Sequence, residues 1–236
     1  SRGDWSSDVC SSDLAVAVLV AFIILLPFSR DIFTLVSEPL REVLPGNAMI
    51  ATAVASPLLT PFKLTFFAAL FLVMPVVLFQ VWNFIAPGLY KNEKRFAIPL
   101  LATSIVLFYL GIAFAYFVVF PLIFGFFTSI APEGVEVQTD ITQFLDFITT
   151  IVFAFGIAFE VPVATVLIVW AGLTNIEKLA KARPYVFLMA FIAGMFLTPP
   201  DVISQSLLAV PVYLLYELGI IMSKVFVSKK SETDSS

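Results

Sequence analysis

The chain has 236 residues, 60% of them hydrophobic and 13% charged, with 26 phenylalanines and a net charge of −4; a soluble domain is about 45–50% apolar and about 25% charged, so water is excluded as the main solvent. With no histidine and one cysteine, Cys10, it has no His-based general base, no Ser-His or Cys-His pair and no Cys-ligated metal centre. The composition therefore points to an all-α integral membrane protein that is not an enzyme built on histidine or cysteine chemistry, has no inventory for a redox or metal role, and has nothing suited to nucleic acid; a cofactor is not expected.

Residues 1–14 (SRGDWSSDVCSSDL) are polar, rich in Ser and Asp, and lack the basic start of a secretory signal. They read as a non-native leader joined to a clipped coding frame. The first apolar run, 15–27, is then too short for a bilayer that needs about 20 residues. The loop that follows carries Ile32, Leu35, Val36, Leu40, Val43 and Leu44 at helical spacing. This predicts an amphipathic piece on the membrane surface, bent at Pro39.

Four further stretches reach spanning length: 64–86, 96–127, 147–173 and 202–222. A fifth, 184–198, covers only about 22 Å of a core about 30 Å thick. It must still be helical, because lipid offers backbone groups no other partner. Six helices result, within a membrane domain spanning 15–227. Asp140 with Gln143 reads as a capping box at the start of helix four. The Ser/Lys/Glu tail, 228–236, is expected to be disordered.

Lys91, Lys94, Arg95, Lys178, Lys181, Arg183, Lys224, Lys229 and Lys230 fall in alternate connections or the tail, whereas the opposite connections hold only Arg30, Arg41 and Lys63. The basic set is predicted to be cytoplasmic, which puts both termini inside.

Glu160 is the outlier, since a charge near the centre of a spanning segment costs about 2.5–3.5 kcal/mol on insertion scales. Two residues on, Pro162 removes a donor and frees the carbonyl of Ala158, so the helix opens beside the carboxyl group. The pair marks a polar pocket facing water or a partner. The plainer reading is a protonated Glu satisfied by a neighbouring Thr or Gln. Glu93 lies among Lys91, Lys94 and Arg95 and reads either as part of a solvated charge cluster or as a carboxylate that accepts a visiting guanidinium bidentately. Pro75, Pro99, Pro121, Pro162 and Pro211 are expected to kink the spans. Met195, Thr198 and Gln205 flank the turn Thr198-Pro199-Pro200-Asp201 and read, on their own, as packing and interhelical hydrogen bonds.

The stretches SPLLTPFKL (56–64), QVWNFIAPGLY (80–90), KNEKR (91–95), FAYFVVFP (114–121), FGIAFEVPV (155–163), Arg183-Pro184-Tyr185 and LTPPD (197–201) with Ser204-Gln205 together resemble the TatC family, the C subunit of the twin-arginine protein translocase. The resemblance implies six helices in a curved, glove-like bundle with helices five and six short. It further implies binding of twin-arginine signal peptides at Glu93, with Lys91, Arg95 and Phe84 around it. Glu160, Met195, Thr198 and Gln205 become intramembrane contacts for small single-span subunits of the TatA/TatB type, and Pro39, Pro75, Pro162 and Asp201 are structural. Further copies of itself, the lipid bilayer and folded cargo complete the expected partners, in a bacterial inner membrane with export driven by the proton-motive force. One departure is that the family's N-terminal Glu-Leu-Arg motif is replaced here by the leader, so this chain is expected to bind signal peptides weakly. A proton-coupled small-solute transporter using Glu160 is the alternative, but it calls for an internal repeat that the sequence does not display.

Overall fold

The computed structural model describes residues 4–41, 49–85, 94–130, 139–198 and 201–233, with side chains placed for 13–38, 49–82, 98–130, 139–198 and 201–225. Nine α-helices are seen among them: α1 (Asp4–Leu25), α2 (Ser29–Arg41), α3 (Ser56–Ile85), α4 (Lys94–Phe114), α5 (Phe120–Ser129), α6 (Ile141–Ala158), α7 (Val161–Trp170), α8 (Ile176–Leu197) and α9 (Val202–Thr233). A 3₁₀ turn (Leu26–Phe28) joins α1 to α2, and a π turn (Ala115–Val119) joins α4 to α5. Six stretches are long and apolar enough to cross a membrane: Asp13–Glu38, Ser56–Trp82, Ile98–Ser129, Ile141–Trp170, Ile176–Leu197 and Val202–Val225. The six predicted spans are therefore present, and no strand occurs among the described residues, where the one β feature is an isolated bridge between Ile50 and Asp140.

The bounds differ from those predicted where charge was taken as the limit. Helix α8 begins at Ile176, so the turns carrying Lys178, Lys181 and Arg183 are already helical, and Pro184 sits inside the helix. The short apolar run 184–198 is thus the C-terminal part of a 22-residue helix. Likewise α9 runs to Thr233, into the tail expected to be disordered, because neither Gly nor Pro occurs after Gly219 to stop a helix already propagating. At the other end α1 begins at Asp4, within the leader, and α2 follows it through a tight turn and continues past Pro39 to Arg41.

The contacts divide the chain into two compact units, Ser1–Leu101 with Phe120–Thr149, and Ala102–Val119 with Thr150–Ser236. In the first, α1 packs on α3 through Ala21, Ala69 and Val73, with Leu14, Ala17, Val18, Phe22 and Leu25 around them. Small side chains at the centre let the backbones approach closely, as membrane helices require when lipid removes the hydrophobic drive. Phe124 is buried between Phe120 and Phe144, with ring centroids 5.9 and 5.7 Å away.

The first unit also holds a polar clasp. Asp140 accepts hydrogen bonds at Oδ1 from the backbone N–H groups of Thr142 (2.8 Å) and Gln143 (3.2 Å), which is the Asp half of the predicted box. Its Oδ2 accepts from the N–H (2.9 Å) and the hydroxyl (2.7 Å) of Thr52, a contact across 88 residues that the sequence does not signal. Ile50 N–H donates to the Thr139 carbonyl and Ile141 N–H to the Ile50 carbonyl. Thr142 donates to Ser56 Oγ at 3.0 Å, and Lys63 pairs with Asp146.

The Thr52 hydroxyl, then its N–H, hold the Asp140 carboxyl down to about 2, against an ordinary value of about 3.9. A folded-state value below the unfolded one means that the clasp's contribution is complete above about pH 4 and is lost as pH falls through about 2. Amide exchange at Thr52 and Ile141 is therefore expected to be slow and constant above pH 4, after correction for intrinsic rates, and to accelerate towards pH 2. In Thr52→Val the acceleration begins nearer pH 4.

The second unit holds the remainder of α4 and α6 with α7, α8 and α9. Its interior is Phe108, Ile151, Phe155, Val163, Val166, Ala209, Tyr216 and Ile220. Helix α7 ends in a Schellman motif: Leu173 N–H donates to the Ile168 carbonyl and Gly172 N–H to the Val169 carbonyl. Gly172 has φ +71°, a conformation that only glycine adopts without cost. Helix α7 in turn lies so close to α9 that a Cβ on Gly219 would strike Thr165 Oγ1 and sit 3.0 Å from Pro162 Cα.

Candidate functional site

Pro162 acts as predicted. Helix α6 stops at Ala158, Phe159 and Glu160 form a turn, and α7 restarts at Val161 with Pro162 in its first turn. The turn is tight: Phe159 N–H still donates to the Phe155 carbonyl at 3.0 Å, but Glu160 N–H reaches back only three residues, to Ile157 at 3.0 Å. The regular ladder resumes with Ala164 N–H donating to the Glu160 carbonyl at 2.9 Å. Glu160 thus occupies a break in the middle of the spanning segment Ile141–Trp170.

Among the described residues the carboxyl group has one hydrogen-bond partner. Ser104 on α4 donates its hydroxyl to Glu160 Oε2, while Oε1 is buried without a hydrogen bond among the described residues. The satisfying group is a serine and not the Thr or Gln expected. Ser104 is 1% exposed and lies on the same face of α4 as Phe108 and Gly111, at i, i+4 and i+7. The glycines explain how so short a side chain reaches across. A Cβ on Gly111 would sit 2.6 Å from the Phe155 carbonyl oxygen, and one on Gly156 2.7 Å from the Phe108 ring. Phe114 closes the far end, 5.5 Å from both Phe155 and Phe159. Ser104 carried no signal in the sequence, since one hydroxyl in a long apolar run does not reveal which residue faces it 56 positions later.

The α8–α9 hairpin carries the other predicted contacts. Met195 is 50% exposed. Thr198 is buried, its hydroxyl donating to the Gly194 carbonyl at 2.8 Å, so it closes the end of α8. Gly194 in turn lies against Gln205, whose backbone would be 3.6 Å from an added Cβ. Asp201 caps α9, accepting from Ser204 N–H at 2.7 Å. At the opposite end Arg183 pairs with Glu217, Nη2 donating to Oε2 at 2.8 Å, while Nε lies 2.6 Å from Oε1 without hydrogen-bond geometry. Tyr213 donates to the same carboxylate at 3.0 Å, and Tyr216 donates to the Leu179 carbonyl at 2.8 Å. Glu217 was not singled out from sequence, although Arg183 was among the resembling motifs. Thr198 bonds within the hairpin, whereas Glu160 is held by Ser104.

Lys91 and Glu93 lie outside the described residues, and so do the side chains of Phe84, Arg95 and Pro39. Pro75 is inside α3, which continues through it. Among the described residues no cluster of His, Cys, Asp and Glu could hold a metal ion.

Six membrane-length helices, one of them broken beside a carboxyl group, define a multi-pass membrane protein. The family model described as Sec-independent protein translocase protein (TatC) matches residues 12–211. A relative of that name from Azotobacter chroococcum mcd 1 is 62% identical over 86% of this chain and 80% of its own length. Another, from Escherichia coli strain K12, is 57% identical over 91% of this chain and 83% of its own. A crystal structure described as the twin arginine translocase receptor TatC superposes with a TM-score of 0.82 at 34% identity, covering 92% of this chain and 96% of that one. The chain belongs to the TatC family of Sec-independent protein translocase components.

Proposed function

We propose that the chain is the receptor subunit of a twin-arginine protein translocase in a bacterial inner membrane, with both termini on the cytoplasmic side. It binds signal peptides that carry an arginine pair ahead of an apolar stretch. It then gathers single-span subunits of the TatA/TatB type, and further copies of itself, for export of folded proteins driven by the proton-motive force. It acts by binding, without catalysis or cofactor.

The observation that carries this reading is Glu160, a membrane-embedded carboxyl group held on one oxygen by Ser104 and without a hydrogen-bond partner on the other among the described residues. An acidic group that lacks a full set of internal partners is expensive in lipid, and such groups are kept where they serve function. In this reading a signal peptide first places its arginines on Glu93 at the inner face, where a carboxylate accepts a guanidinium bidentately. Lys91, Arg95 and Phe84 contribute to the same recognition step. The apolar part of the peptide then enters beside the helices towards Glu160, gaining about 25 cal/mol for each Å² of apolar surface removed from water. Single-span partners dock on the hairpin at Met195, Thr198 and Gln205.

The test is photo-crosslinking in membranes, with the family's Glu-Leu-Arg segment joined ahead of Ala15. A signal peptide with a photoreactive group beside its arginine pair is expected to label the chain about tenfold more than its Lys-Lys counterpart. Glu93→Gln brings the two to the same low level. Equal labelling of the unaltered chain by both peptides would overturn the proposal.

A further inference from the structure

We infer that Ser104 is a positioning residue for Glu160: its hydroxyl fixes Oε2 of the carboxyl group, and Oε1 is left for a single hydrogen-bond donor on an incoming transmembrane helix that displaces the side chains now covering it. The inference rests on the receptor reading above and names a second residue of the same site.

Three observations carry it. A serine on a membrane helix ordinarily returns its hydroxyl to the carbonyl four residues earlier, which here would be Leu100. Ser104 donates across to another helix instead. Thr65, Thr128, Ser206 and Ser223 all take the local option, each donating to the carbonyl four residues before it. Ser104 departs from that pattern. It does so where two glycines bring α4 and α6 close together, Gly111 against the Phe155 backbone carbonyl and Gly156 against the Phe108 ring.

The geometry also controls the orientation of a long side chain. A glutamate beside a helix break has three side-chain torsions and loses rotamer freedom on binding anything. Pinning Oε2 removes that freedom beforehand, so a partner that displaces the cover over Oε1 meets an oxygen already oriented, which is how preorganisation lowers the cost of binding. One oxygen remains, buried and without a partner among the described residues. It suits one amide, hydroxyl or ammonium donor in an otherwise apolar helix. A partner helix that is apolar throughout leaves it unsatisfied, which gives selection against such helices.

The test reads the carboxyl group and transport separately, with the chain in lipid nanodiscs and in cells. Infrared spectra assign the Glu160 carboxyl band as the one lost in Glu160→Gln. That band is expected to shift in Ser104→Ala and to return in Ser104→Thr, which keeps the hydroxyl. Export of a folded reporter is expected to fall about tenfold in Ser104→Ala and to stay within about twofold in Ser104→Thr, the effect of one hydrogen bond to an ionisable group. If the alanine variant does not accumulate, Ser104→Cys, a weaker donor, carries both readouts. An unmoved band in Ser104→Ala overturns the inference, and so does a moved band with wild-type export. If instead Glu160→Gln exports at the wild-type rate, the receptor role of Glu160 fails, while the band still reports whether Ser104 holds it.

Discussion

Adding a single methyl group at Gly111 is expected to destabilise the protein by about 2–3 kcal/mol, whereas the same change at Gly125 stabilises it by about 0.5–1 kcal/mol. The two glycines are both helical, one on α4 and one on α5. On propensity alone, alanine is better at each. The difference lies in what the methyl meets. At Gly111 it would stand 2.6 Å from the backbone carbonyl oxygen of Phe155 and 3.0 Å from Cβ of Phe159. A backbone atom cannot swing aside as a side-chain tip can, so α4 and α6 must separate and the Phe114, Phe155 and Phe159 rings must repack. At Gly125 nothing lies within 4 Å of the added atom. Reversible unfolding in mixed detergent micelles measures both. Opposite signs are the expected result, and a Gly111→Ala protein as stable as the parent would show that the two helices are not in the contact described.

This contact decides how far the site could be read in advance. The six spans were legible because lipid imposes length and apolarity on every one of them, and the broken helix because a proline two residues beyond a buried glutamate has few other consequences. Asp140 was recognisable as a cap, since capping is local and its partners lie two and three residues on. What stayed hidden was long-range. Thr52 and Asp140, Ser104 and Glu160, and Arg183 and Glu217 are joined by folding across tens of residues, and one sequence carries no record of which polar side chain faces which. The helix ends were misjudged for the opposite reason. Charge was taken to stop a helix, but Lys178, Lys181 and Arg183 lie comfortably on α8, because charged side chains on a helix surface do not break its backbone ladder.

Removing the Glu160 side chain should separate function from stability. Glu160→Ala deletes a carboxyl group with one buried oxygen unpartnered among the described residues, and it frees Ser104 to bond to its own helix. Losing a partly satisfied buried polar group relieves a desolvation cost that offsets much of the packing lost with the side chain, so the fold is expected to hold. If the group existed for packing, transport would follow stability and remain intact. If it exists to receive a donor from another helix, transport collapses while the protein stays folded, the trade expected of a functional site that is kept at a cost.

The direct measurement is the rate at which cells export a folded reporter bearing an arginine-pair signal peptide when the variant, carrying the family's N-terminal segment, is their only copy of the subunit. The account predicts that Glu160→Ala accumulates in the membrane at the parent's level and exports about a hundredfold more slowly, the effect of about 2.7 kcal/mol of lost hydrogen bonding to an acidic group. Export at the parent's rate by Glu160→Ala would contradict it.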